Sequence, residues 1–278
     1  MRVDMVFCDM DGTYLASDKS VPADNQKIVG ELAERGIAFV PCTGRMFSGI
    51  QESLVGTPQV RYAVCSMGAT IVEFGPHGPK NIFEGEMPKG PVLSLYEAIS
   101  SMDLEFGIFA NGRSYAEDWR LAKIREFPIE PGMMQFVIKQ RVPIKVSIPE
   151  FVGKLDRVER LNLYYKTDAD GDRICDILGS MSELAYTRHD GCGLEVTSRS
   201  FSKGTALRWL CQKEGVSPLY VAAFGDGEND VPMLAEAGVP VAMRNGNDIC
   251  KENATYMTRL SNDEAGVADF LRQNVFGA

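Results

Sequence analysis

The chain has 278 residues, 45% of them apolar, with a formal net charge of −9 and seven cysteines. That is enough apolar material for one large or two modest cored domains. The acidic balance, with no dense basic stripe, argues against a nucleic-acid or anionic-membrane partner. No apolar run is long enough to span a bilayer and no secretory signal precedes the first predicted strand. An odd set of cysteines without paired spacing suits a reducing compartment, so a cytoplasmic location is expected.

The first predicted element is the apolar run Val3 to Cys8, which leads into Asp9-Met10-Asp11-Gly12-Thr13. It reads as a buried parallel strand ending in two acids two residues apart, after which a glycine turns the chain. In an extended segment residues i and i+2 point the same way. Asp9 and Asp11 are therefore expected to project from the carboxyl end of one strand into one crevice, where open α/β sheets bind ligands. Two adjacent carboxylates repel, and a shared proton or a cation must offset that cost. The plain alternative is an Asp-Gly turn with a solvated acid.

A helix from Ala23 to Arg35 and a strand from Ile37 to Cys42 follow. The strand opens into Thr43-Gly44-Arg45, where a hydroxyl and free backbone N–H groups supply the ingredients of an oxyanion nest. A helix over Phe47 to Leu54 and strands over Tyr62 to Ser66 and Ile71 to Phe74 continue the alternating pattern of a doubly wound parallel sheet. Cys8, Cys42 and Cys65 fall in or at the end of these strands and read as small buried hydrophobes. From Gly75 to Pro91 the chain is rich in Gly and Pro, with His77 in a loop, and the exit from the first domain is placed there. Residues 84–186 carry their own helical and strand patterns, including Val92 to Met102 and Leu161 to Lys166, and read as an inserted α+β domain. Residues 1–83 and 187–278 form the surrounding α/β core. Within the insertion, Asn111-Gly112-Arg113-Ser114-Tyr115 offers polar, planar and aromatic groups suited to a sugar or phosphate; a surface hairpin is the alternative. Neither His77 nor His189 is assigned to catalysis.

Beyond the insertion, Ser202-Lys203-Gly204 opens a helix whose apolar positions Ala206, Leu207, Leu210 and Cys211 follow helical spacing. A lysine at a helix N-terminus opposes the macrodipole, and its placement makes sense if an anion binds there. The run Leu219 to Phe224 is then a strand, followed by Gly225-Asp226-Gly227-Glu228-Asn229-Asp230 and a helix with Pro232 in its first turn. Asp230 has a simple reading as a helix N-cap. That reading leaves Asp226 and its flanking glycines unexplained. If the first strand and this one are neighbours, three or four carboxylates converge on one crevice. Such a cluster is stable only around a divalent cation, and an all-oxygen set points to Mg²⁺ rather than zinc.

Asp9-x-Asp11-Gly12-Thr13, Thr43-Gly44-Arg45, Ser202-Lys203-Gly204 and Gly225-Asp226-Gly227-x-Asn229-Asp230-x-x-Met233-Leu234 resemble the four ordered motifs of the haloacid dehalogenase-like superfamily. The closest branch is that of the Cof-like sugar-phosphate phosphatases. Val241-Ala242-Met243-x-Asn245 and Asn262 to Val267 also match family patterns. The resemblance implies a doubly wound core with an inserted cap domain, and a Mg²⁺-dependent phosphatase acting on small phosphate monoesters. It implies Asp9 as the nucleophile that forms an aspartyl-phosphate, and Asp11 as the acid for the leaving alkoxide and then the base for water. Mg²⁺ is implied to bind Asp9, the main-chain carbonyl of Asp11 and Asp226, with Asp230 orienting a metal-bound water or Lys203. Thr43, Gly44 and Asn229 are implied to hydrogen-bond the phosphoryl group, which Lys203, Arg45 and the metal attract against the field of an acidic protein.

A phosphomutase on the same scaffold and a non-catalytic sugar-phosphate binder are the alternatives. The intact Asp9, Asp11, Lys203 and Asp226 argue against the second. A dinucleotide-binding oxidoreductase fails, because Asp-Met-Asp-Gly stands where a glycine-rich turn is needed and would repel a pyrophosphate. The chain departs from the family at two points. Ser66-Met67-Gly68-Ala69 stands where relatives carry Asn-Gly-Ala, and Ala265-Gly266 stands where they carry an acid and a glycine. Met67 removes an amide near the expected leaving group, which predicts weaker binding at that edge or a preference for an apolar leaving-group face. Plain core packing is the alternative for Met67.

Overall fold

The computed structural model describes residues 1–55, 57, 60–189 and 192–277, with the side chain of His189 outside that set. Two compact units divide the chain: Met1–Glu84 with Phe201–Ala278, and Gly85–Ser200.

The first unit begins with strand β1 (Met5–Cys8), helix α1 (Ala23–Glu34) and strand β2 (Ala38–Pro41). The helix expected over Phe47 to Leu54 is only a single 3₁₀ turn, Phe47–Gly49, and Ile50 is extended (φ −78°, ψ 142°). The Gly49 carbonyl that a helix would use accepts instead from Arg45 Nη1 at 2.9 Å. Strands β3 (Tyr62–Cys65), β4 (Thr70–Gly75) and β5 (Gly78–Glu84) form an antiparallel meander. β3 also touches β2 through the parallel bridge Cys42↔Val64. His77 lies in the tight β4–β5 turn, as expected.

The second unit is a six-stranded sheet with helices. In chain order it runs α2 (Lys89–Ile99), β6 (Leu104–Ala110), β7 (Arg113–Glu117), α3 (Asp118–Leu121), α4 (Pro131–Gln140), β8 (Arg141–Ile144), α5 (Ile148–Lys154), β9 (Arg160–Tyr165), α6 (Asp168–Gly179), β10 (Leu184–His189) and β11 (Gly193–Ser198). The sheet order is β10-β11-β9-β6-β7-β8, antiparallel except for the β7–β8 pair. The expected return to the core at residue 187 is corrected here: 187 falls inside β10, which pairs with β11 along its whole length, Leu184↔Ser198 to His189↔Gly193. The division lies at Ser200/Phe201. Asn111 and Gly112 both have positive φ (52° and 68°), the geometry of a two-residue hairpin turn, so this stretch adopts its hairpin reading. Inside the sheet, buried Arg141 donates to Glu105 (2.8 Å), Ser114 (2.6 Å) and Asn162 (3.0 Å). Gly107 leaves the room this guanidinium occupies, since any Cβ there would collide with it.

The chain re-enters the first unit with α7 (Lys203–Glu214), β12 (Val221–Gly225), α8 (Val231–Glu236), β13 (Val239–Ala242), α9 (Asp248–Glu252), β14 (Tyr256–Met257) and α10 (Gly266–Leu271). These strands complete a parallel sheet of order β14-β13-β12-β1-β2. Alternation along β1 sends Val6 and Cys8 into one apolar layer, with Ile28, Leu32, Phe39, Phe224 and Phe270. Met5 and Phe7 go into the other layer, with Val40, Leu207, Leu210, Met233 and Leu234. Each fully buried Leu, Ile or Phe contributes roughly 1.5–3 kcal/mol, so both faces must be covered, the α/β requirement behind near-continuous apolar strands. No helix among the described residues is long and apolar enough to cross a membrane.

Candidate active site

β1 and β12 are parallel neighbours with Cys8 opposite Phe224, so Asp9 and Asp226 leave the sheet side by side at its carboxyl edge. Asp9 N–H donates to the Phe224 carbonyl at 2.9 Å, fixing the stagger. Oxygens of Asp9, Asp226 and Asp230 lie within 4.8 Å of one another. The glycines around them answer to space. Gly12 turns with φ +80° directly against the Asp226 carboxylate, and a Cβ on it would collide there; a Cβ on Gly225 would strike Asp230.

Lys203 joins the cluster from the first turn of α7, where Ser202 and Thr205 form a reciprocal cap. Its Nζ, fully buried, donates to Asp9 Oδ1 at 2.6 Å and Asp230 Oδ1 at 2.5 Å. Burial alone would lower its pKa, but the charges of Asp230 and Asp9 outweigh it and hold the ammonium protonated. The anion that makes sense of a lysine at a helix start is thus supplied partly by the protein itself. Asp230 does not cap α8 with its side chain; its Oδ2 accepts the N–H groups of Asp226 (3.0 Å) and Gly227 (3.1 Å), folding the loop back on itself.

Asp11 is not part of this cluster. The strand ends at Cys8, and the next residues coil, with Tyr14 N–H donating to the Asp9 carbonyl and Leu15 N–H to that of Met10. The rule that places i and i+2 on one face therefore stops applying just before Asp9. Asp11 instead faces Arg45, which donates to it from Nε (2.7 Å) and Nη2 (2.6 Å), and Lys19 Nζ lies 2.9 Å from its Oδ1. Burial pushes the Asp11 carboxyl up, but the hydrogen bonds and charges of Arg45 and Lys19 outweigh it and hold it below the ordinary range. In this arrangement Asp11 is a carboxylate, the form needed of a base, and Arg45 is turned to Asp11. Thr43 is buried, and its Oγ1 accepts the Arg45 N–H at 3.1 Å, shaping the turn that contains Gly44. Asn229 lies against the unusual Met67, Nδ2 to Sδ 3.7 Å. Met67 itself is buried and left-handed (φ 59°, ψ 28°).

Three contacts escaped the sequence reading. Thr13 Oγ1 donates to Asp226 Oδ1 at 2.8 Å, Asn245 Nδ2 donates to the Gly12 carbonyl at 2.7 Å, and Lys19 pairs with Asp11. Thr13 stood within the first motif and was legible as a hydroxyl near acids; Lys19 carried no such signal.

Three carboxylates oppose one ammonium here, and the crowding registers in the acidities of Asp9 and Asp226. Burial, together with Asp230 and Asp226, raises Asp9 well above the usual carboxylate range despite Lys203. Burial, then the Asp230 charge, raises Asp226 to about 6. An all-oxygen donor set with unbalanced negative charge fits a hard divalent cation.

Comparison with known proteins agrees. A family model for haloacid dehalogenase-like hydrolases matches residues 6–271. The chain is 26% identical to the 5-amino-6-(5-phospho-D-ribitylamino)uracil phosphatase YwtE of Bacillus subtilis, covering 97% of both chains. It is also 26% identical to a chloroplastic endoribonuclease, YBEY, of Arabidopsis thaliana, covering 98% of this chain but only 46% of that longer protein. A haloacid dehalogenase-like hydrolase of Bacteroides thetaiotaomicron shares the fold with a TM-score of 0.79 at 23% identity, covering 98% of this chain and 99% of that one. The chain belongs to the haloacid dehalogenase-like hydrolase family and is a phosphatase.

Proposed function

We propose that this phosphatase hydrolyses small phosphate monoesters, of sugars or sugar alcohols, through an aspartyl-phosphate on Asp9 with Mg²⁺ as cofactor. The observation that carries the reading is Lys203 bridging Asp9 and Asp230 beside Asp226. Binding alone needs no buried nucleophile held against an ammonium. The named substrate of the Bacillus subtilis relative, a phosphorylated ribityl chain, supports the substrate class.

Asp9, Asp226 and the main-chain carbonyl of Asp11 would hold Mg²⁺, with Asp230 behind them. The ion would neutralise charge on the carboxylates and the phosphoryl oxygens. An Asp9 oxygen bonds to phosphorus as the ester P–O bond breaks, and Lys203 keeps that carboxylate aligned. Asp11 gives a proton to the departing alkoxide. It then removes one from the water that attacks the aspartyl-phosphate, releasing inorganic phosphate and restoring Asp9. The Asp11 proton requires Arg45 to release its grip. Thr43, Gly44 and Asn229 would hydrogen-bond the phosphoryl group, and Arg45, once freed from Asp11, would attract it. Transfer of the phosphoryl to a second hydroxyl instead of water would make a mutase.

The test is hydrolysis of an aryl phosphate and a panel of sugar and alditol phosphates, with and without Mg²⁺. Activity lost to chelator, restored by Mg²⁺ and absent in Asp9→Asn is expected. Undiminished turnover in excess chelator would remove the metal, and an active Asp9→Asn would remove the covalent intermediate.

A further inference from the structure

The β1–α1 loop that carries Asp11 is gripped from behind by the C-terminal segments whose family pattern has no part in the chemistry above. Asn245 Nδ2 donates to the Gly12 carbonyl (2.7 Å), and buried Asn262 donates from Nδ2 to the Leu15 carbonyl (2.9 Å). Asp263 accepts both the N–H (2.7 Å) and the hydroxyl (3.0 Å) of Ser17. The two asparagines are joined, since Asn262 N–H donates to Asn245 Oδ1 at 2.9 Å.

The gripping loop is itself stiff. Thr258 Oγ1 donates to the Leu260 carbonyl (2.7 Å) and accepts the Arg244 N–H (2.9 Å). Gly266 N–H donates to the Ser261 carbonyl (2.9 Å), and a Cβ on Gly266 would collide with the Leu260 carbonyl. None of the polar contacts made by Asn245, Asn262 and Asp263 is to the carboxylate cluster. They act on backbone and on Ser17, at points one, four and six residues beyond Asp11.

We infer that Asn245, Asn262 and Asp263 form a clamp of positioning residues that sets the Asp11 carboxyl at the leaving-group oxygen. The inference rests on the role assigned to Asp11 above. Proton transfer is steep in donor–acceptor distance, and a misplacement of about 1 Å can cost on the order of 100-fold. With Mg²⁺ saturating, so that the ion the Asp11 main-chain carbonyl would hold stays bound, loosening the clamp should slow the steps that need the Asp11 carboxyl and spare those that do not. Formation of the phosphoenzyme from p-nitrophenyl phosphate needs no proton, because nitrophenolate leaves unaided; formation from an alkyl or sugar phosphate does.

The experiment compares single-turnover phosphoenzyme formation from p-nitrophenyl phosphate and a sugar phosphate in Asn245→Asp, Asn262→Ala and Asp263→Ala. Asn245→Asp keeps the acceptor for Asn262 and loses the donor to Gly12. Asp263 is exposed, so its replacement leaves the core intact if Asn262→Ala fails to fold. The expected result is a sugar-phosphate rate reduced about 10- to 100-fold with the aryl rate within about twofold of the parent. Asp11→Asn is measured alongside. If Asp11→Asn leaves the ratio of the two rates unchanged, the acid assignment falls and this inference with it. If Asp11→Asn changes the ratio and the folded clamp variants do not, the clamp alone is overturned.

Discussion

Arg45 grips Asp11 through two parallel contacts, Nε to Oδ2 at 2.7 Å and Nη2 to Oδ1 at 2.6 Å. This fork is the geometry in which guanidinium and carboxylate bind best, and it favours the ionised acid. A residue expected to bind phosphate thus stands as the counter-ion of the carboxyl proposed as acid and base. On the proposed mechanism an anionic substrate would compete with Asp11 for this cation, coupling phosphate binding to release of the acid.

Replacing Arg45 with Met should raise the Asp11 pKa, because burial then goes unopposed except by Lys19. The acid limb of the pH–rate profile on an aryl phosphate, where Asp11 acts as base toward water, should move to higher pH. KM should rise as well. A limb that stays in place would show that another group sets it.

Asp226 gives a second pH signature. Burial and the neighbouring Asp230 raise its carboxyl from 3.8 to about 6. Between those values the folded protein keeps a proton that the unfolded chain has released. Its contribution to stability in the metal-free protein is therefore full below the lower value, declines as pH rises to about 6, and is flat beyond. Mg²⁺ held by Asp226, as proposed, would compete with that proton. The rise in Tm produced by Mg²⁺ should grow as pH increases from about 5 to about 7. A Mg²⁺-induced shift that is the same at both pH values would contradict Asp226 as a ligand.

Lys203→Met removes the single ammonium between two buried acids. Breaking a buried charge pair from one side costs about 3–5 kcal/mol, and the variant should show that loss in urea titrations at neutral pH without metal. Stability should recover on acidification, as the raised Asp9 carboxyl takes up its proton, and activity should be absent at every pH. A variant within about 1 kcal/mol of the parent at neutral pH would mean that the Lys203 ammonium is not what holds these acids together.

The chemistry-bearing ends of the strands were legible because a buried parallel strand has an unambiguous signature and its carboxyl edge is where open α/β sheets bind ligands. Asp9, Asp226, Asp230 and Lys203 meet as that pattern implies. The side chain of Asp11 was misplaced because strand geometry was extended past Cys8, into backbone that coils. The helix at Phe47 was overread because apolar spacing cannot show that Arg45 takes the Gly49 carbonyl. The domain return at 187 failed for a related reason. A short alternating run such as Leu184–His189 carries no mark of which sheet it joins, and only pairing with Gly193–Ser198 decides.

At Met67 residue type and backbone disagree. It sits in the left-handed region at φ 59°, between Ser66 (φ 49°) and Gly68 (φ 95°), a conformation that costs an ordinary L-residue roughly 1–2 kcal/mol and that Asn tolerates better. Its side chain is buried, worth roughly 1.5–3 kcal/mol, so packing outweighs the strain and explains why a methionine persists there. Met67→Asn should accordingly be destabilising by about 1 kcal/mol in spite of the relaxed backbone. Its amide would give Asn229 Nδ2 an oxygen acceptor in place of a thioether sulfur at 3.7 Å and add a donor toward the substrate. One hydrogen bond to a charged group contributes about 1.5–3 kcal/mol, enough to lower KM for sugar phosphates about tenfold or more at nearly constant kcat. Steady-state kinetics across a panel of esters, with thermal melts of both proteins, would check both effects. An unchanged KM together with the loss of stability would leave Met67 as core packing alone.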